Sequence, residues 1–208
     1  MISTLPFGAP LAYSTRGVTA ESVKSRKLRS LIKSGDDALF AQIAEHVVQL
    51  VLAGLFADYF SPAVTLVPVP GHAPLAPGAV LLTSRIAKAL QRAGLAGRFE
   101  AILERTAAVP KAAFALPADR PTVAAHLATL SARQVLDAPR RIVLVDDFIT
   151  RGAMLLSCAC RLRVAYPEAE IRGFALVRSI TEGEIERIRD PREGVVELLA
   201  DGQTRRVP

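Results

Sequence analysis

RIVLVDDFITRGAM, residues 141–154, runs an aliphatic stretch straight into two adjacent carboxylates and then into a short polar loop containing a glycine. Ile142 to Val145 read as a buried strand, bounded by a loop and followed by helical residues. Asp146 and Asp147 end that strand side by side, where each raises the other's pKa. The pair stays ionised only with a cation, several hydroxyls or open water beside it, which points to a ligand site at the end of the strand.

Working outward, residues 153–166 carry the next helix and IRGFALVRSI (171–180) another aliphatic strand. Upstream, VTLVPVPGHAP (64–74) is a strand running into a proline-punctuated loop, and AVLLTSRIAKALQRAGLAG (79–97) has helical apolar spacing with a glycine stop. A short strand is expected within 99–105. Residues 106–130 show no clear period and are broken by prolines, so they are expected to be one long loop, of the kind that is functional or disordered in a compact domain. The N-terminal part reads as helical, from Glu21 to Lys33 and then, recapped by Ser34, Gly35 and Asp36, through Phe60. Asp201-Gly202 between two short runs signals a C-terminal hairpin. Strands alternating with helices predict an α/β fold with a doubly wound, mostly parallel sheet. The expectation is one domain over 1–208, with a helical N-terminal part (1–60), a core (61–180) and a C-terminal appendage (181–208).

The chain has 208 residues, half of them hydrophobic, enough to bury its own core. Its longest apolar run, 39–60, contains Glu45, His46 and Gln49 and reads as a core helix, not a membrane span. The first residues lack the charged start and apolar block of a secretory signal, which makes the cytoplasm the expected compartment. Cys158 and Cys160 are too close along a helix to pair with each other, and no Cys or His cluster completes a zinc site, so both read as buried thiols. The formal charge of +6 suits a polyanionic partner. Arg16, Lys24, Arg26, Lys27, Arg29 and Lys33 cluster near the N-terminus, either as a nucleic-acid contact or as a solvated helix face. With no Trp and three Tyr, a base-stacking platform is disfavoured.

Ligands of open α/β sheets bind outside the carboxyl ends of the strands. The acidic pair stands at such an end, and the loop after it enters a helix whose free backbone N–H groups can hold a phosphate. Carboxylates for vicinal hydroxyls together with a helix N-terminus for a phosphate describe a site for a ribose 5-phosphate. The bland alternatives are a receiver-type acidic pocket or a solvated strand end. His46 reads as a core residue, His126 as loop surface and His72 as part of a rigid turn.

VLVDDFITRGAM (143–154) resembles the phosphoribosyl pyrophosphate motif of type I phosphoribosyltransferases, an aliphatic strand, two acidic residues and a Thr-Thr-Gly-x-Thr loop. LVPVPGHAP (66–74) resembles the VPVP stretch before the pyrophosphate loop in their ComF-like branch. The resemblance implies that Asp146 and Asp147 bind the ribose hydroxyls and that Thr150, Arg151, Gly152 and Ala153 cradle the 5-phosphate. It sets Pro70, Gly71 and His72 in the pyrophosphate loop and makes 106–130 a mobile lid, with Lys111 as a catalytic contact and Arg120 beside it. It implies Mg²⁺ carried mainly by the substrate, without direct protein ligands. The implied partners are phosphoribosyl pyrophosphate, an acceptor that the residues do not specify, nucleic acid and a second copy of the chain in a homodimer; a membrane is not among them. The activity implied is transfer of ribose 5-phosphate, with a non-catalytic phosphoribosyl-pyrophosphate sensor or a nucleic-acid-associated protein as the alternative. Three departures stand out: Arg151 replaces a threonine, Met154 replaces the closing threonine, and the zinc ribbon that often begins ComF-like proteins is absent.

Overall fold

Inward-facing residues alternate along the strand that carries the acidic pair, and so they build two cores. The computed structural model describes residues 2–110, 121–180 and 183–207. In β6 (Arg141–Ile149), Ile142 and Leu144 point into one apolar cluster, while Val143 and Val145 point into the other. The first cluster is closed by α5 (Ala153–Ala165) and the short α4 (Val123–Leu127). The second is closed by Ile32 of α1 (Ala20–Ser34), α2 (Asp37–Leu52) and α3 (Leu82–Arg92).

The sheet has the order β3-β2-β6-β7-β1-β8-β9, with β1 (Thr4–Ser14), β2 (Ser61–Pro68), β3 (Ala96–Phe99), β7 (Glu170–Ile180), β8 (Arg189–Leu198) and β9 (Thr204–Val207). Its first five strands are parallel, and β8 and β9 are antiparallel additions. Chain connections leave β2 and β6 in opposite directions, through α3 to β3 and through α5 to β7. Right-handed crossovers in opposite directions put their helices on opposite faces, as α3 and α5 are here. Between β2 and β6 the connections diverge, and a crevice opens there.

Several expectations are corrected. Residues 4–14, placed in a helical N-terminal part, form an interior strand between β7 and β8. The strand holds despite Pro6 and Pro10, because β7 and β8 pair with it on both sides. The long helix stops at Leu52, not Phe60: Gly54 and then Phe56 turn to positive φ, 90° and 59°. Phe56 holds that conformation because its N–H donates to Glu193 Oε1 at 2.7 Å and its fully buried ring packs edge-on to Phe174, centroids 5.5 Å apart. The expected loop 106–130 includes α4, capped by Thr122 Oγ1 accepting from the Ala125 N–H, and at its end Leu130 opens β5 (Leu130–Ala132), which pairs with β4 (Leu103–Arg105) as a separate ribbon. The C-terminal hairpin turns at Gly202, φ 79°, and is an extension of the main sheet through β1 instead of an appendage.

Candidate functional site

At the carboxyl ends of β2 and β6 lies a cavity of about 650 Å³. Asp146, Asp147 and the loop 150–152 form one wall, Pro70, Gly71 and His72 another, and the first turn of α5 closes the end. The structure thus brings together all the expected site residues that it describes. Lys111 and Arg120, the expected lid contacts, lie outside the described residues.

β6 continues through the acidic pair to Ile149, so both carboxylates are held on a paired strand, not a loose loop. Asp146 Oδ1 accepts from the Asp147 N–H and Asp147 Oδ1 from the Phe148 N–H, each at 2.8 Å. Burial, and then the charge of Asp147, push the Asp146 carboxyl well above the usual carboxylate range. The cation that the pair calls for is Lys33, at the C-terminal end of α1, which forms an ion pair with Asp147. Its ammonium also lies 5.2 Å from the Phe148 ring, which in turn meets Tyr13 edge-on. Lys33 belongs to the basic N-terminal cluster, and other members of that cluster are engaged within the chain as well. Lys24 pairs with Glu21, and Arg26 donates to the carbonyls of Ser14 and Gly17.

The end of the cavity beyond the acidic pair depends on α5. Its N-cap, Gly152, adopts φ 90° and offers no side chain to the free N–H groups of the first turn. Any Cβ at Gly152 would stand 2.4 Å from Val196 Cγ2 of β8, so the hairpin closes on the loop from behind. Thr150 is exposed and its hydroxyl donates to Ser179 Oγ at 3.2 Å. Arg151 lines the cavity but makes no hydrogen bond or ion pair among the described residues.

Two groups escaped the reading of the sequence. Arg105, at the end of β4, reaches under the loop after β2 and donates through Nε to the Gly71 carbonyl at 3.1 Å. His126, expected on a loop surface, is buried on α4 beside it, and burial together with the Arg105 charge pushes its imidazole down to about 4. Only packing of the β4–β5 ribbon against α5 brings these residues to the cavity, and their local sequence carries no motif. Among the described residues no cluster of three or more His, Cys, Asp or Glu could hold a metal. No described helix is long and apolar enough to cross a membrane. Cys158 and Cys160 are buried and free.

No family model matches the chain, and no curated protein matches it. Among solved structures, a hypoxanthine phosphoribosyltransferase from Staphylococcus aureus is similar over 73% of this chain and 70% of that chain, with 11% sequence identity and a TM-score of 0.35.

Proposed function

We propose that the cavity binds Mg-phosphoribosyl pyrophosphate and that the protein transfers its ribose 5-phosphate to an acceptor, on a doubly wound fold of the type I phosphoribosyltransferase kind with ComF-like affinities in its VPVP stretch. The observation that carries this reading is the opening of a paired-carboxylate strand end and an uncapped helix N-terminus into one cavity. Asp146 and Asp147 accept from the ribose hydroxyls, and the N–H groups of Ala153 and Met154 donate to the 5-phosphate. The loop 70–72 receives the diphosphate. Two carboxylates are too few for a dedicated magnesium site but suit an ion that arrives on phosphate oxygens with its waters. Such an ion would neutralise charge on the departing diphosphate.

As the bond from C1 to the diphosphate breaks, positive charge grows on the ribose ring, and the carboxylates below it stabilise that charge. Ribose hydroxyls and Lys33 compete for Asp147, so binding releases Lys33 toward the wall formed by Tyr13 and Phe148. Calorimetry with Mg²⁺ and phosphoribosyl pyrophosphate, followed by a screen of bases and amines for pyrophosphate release, tests the proposal. Binding with turnover supports it. Binding without turnover favours the sensor reading, which the methionine in place of a phosphate-loop hydroxyl also suggests, and no binding removes both.

A further inference from the structure

Arg105 is 5% exposed, and every acceptor around it among the described residues is neutral. Nη1 donates to the His126 carbonyl at 3.3 Å and to Thr129 Oγ1; Nη2 donates to Met154 Sδ at 2.9 Å, with His126 Nδ1 at 3.5 Å. Burial lowers the guanidinium pKa, yet an arginine stays charged in a protein. His126 is neutral at pH 7 and cannot balance it. A buried cation without a counter-charge is costly, and a thioether is the weakest acceptor in its reach. Arg105, His126 and Met154 all line the cavity, and Met154 is in the first turn of uncapped α5. Thr204 of β9, 3% exposed, also lines the cavity, and its buried Oγ1 has no hydrogen-bond partner among the described residues.

We propose that Arg105 is the cation of the phosphate subsite and that Met154 is its stand-in acceptor, displaced from Nη2 when a phosphomonoester dianion binds at the N-terminus of α5. A phosphate oxygen makes a charge-assisted hydrogen bond with a guanidinium, and a sulfur does not. This accounts for a methionine at the position where the resembling family closes its loop with a hydroxyl. The identity of the phosphoester rests on the reading above, whereas the subsite itself is open to inorganic phosphate.

The test is calorimetry with inorganic phosphate and with ribose 5-phosphate on the full chain and on Thr129→Asp and Thr129→Asn. Thr129→Asp puts a carboxylate within the existing reach of Nη1 and away from the first turn of α5. It is expected to raise the melting temperature of the free protein and to weaken both ligands about tenfold or more, while Thr129→Asn stays near the original affinity. Equal affinities in Thr129→Asp and the original chain overturn the subsite and leave the ribose assignment standing. Phosphate binding that is sensitive to Thr129→Asp, with no gain from the ribose, supports the subsite and removes the ribose reading. If Thr129→Asp does not fold, ¹³C-methyl NMR on the original chain decides, since the chain has only two methionines. The Met154 methyl resonance shifts on phosphate titration if the sulfur is displaced; an unmoved resonance, or no phosphate binding, overturns the proposal.

Discussion

Asp146 is held where its own charge is unwelcome, and that cost is set by its neighbours. Burial and Asp147 raise its pKa, so the folded chain holds the proton more tightly than the unfolded one. The sign follows: this carboxyl favours folding below its unfolded value of about 3.8, and the advantage is lost as pH rises through the higher folded value. Asp146→Asn is therefore expected to raise the melting temperature at pH 7, by about 2 to 4 °C for each kcal/mol relieved. The gain should shrink as the pH falls toward 4, in thermal denaturation followed across that range. The same variant is expected to lose about 1.5 to 3 kcal/mol of ribose 5-phosphate binding. A variant neither more stable nor weaker in binding would mean that Asp146 faces open water. That the adjacent carboxylates need a cation, hydroxyls or water beside them was legible in the sequence; that Lys33, 114 residues away in the chain, pairs with Asp147 was not.

Among the elements, the turn from β6 into α5 shows how local and distant demands meet. Gly152 is required twice, by its φ of 90° and by Val196 packed where a Cβ would go. Gly152→Ala is expected to cost about 2 to 4 kcal/mol, from left-handed backbone strain and overpacking together. Adding Val196→Ala should recover the steric part only, as read from denaturant midpoints of the two variants. Full recovery by the second substitution would show that the backbone angle carries no strain. Helix α1 is fastened in a similar way from outside its own sequence. Glu184 accepts from Ser22 Oγ, the Val18 N–H at 2.6 Å and Thr19 Oγ1 at 2.8 Å, and these bonds hold its carboxyl down at about 2. The cap at Asp36 was read from the sequence, but the cap at Thr19 and this clasp were not.

Across the whole molecule, β1 decides how much of the chain folds as one unit. It is bonded in parallel to β7 and antiparallel to β8, so it joins the parallel core to the hairpin. Leu5, Phe7 and Ala9 fill one apolar cluster and Leu11 the other. Removing residues 1–14 is expected to abolish cooperative thermal unfolding, because both cores lose side chains and β8 loses its bond to the main sheet. A truncated chain with a sharp transition within a few degrees of the original would show β1 to be dispensable.

The alternation of aliphatic strands with helical segments was enough to specify an α/β chain with a mostly parallel sheet, because each element carries its own period in residues a few positions apart. The acidic pair and the following glycine were likewise legible as parts of one candidate site, because they are contiguous at a strand end, whereas the loop after Val69 entered it only through the resemblance of its VPVP stretch. What only the tertiary structure decided are features made by residues distant in the chain. Strand β1 is spoiled as a pattern by two prolines and a glycine and becomes a strand because β7 and β8 pair with it. Lys33 becomes the counter-ion of Asp147 because α1 ends over β6. Arg105 and His126 become cavity residues because the ribbon of β4 and β5 and helix α4 bring them beside Met154 of α5. Periodicity is a local property of the chain, whereas the position and charge of a buried cation depend on everything packed around it.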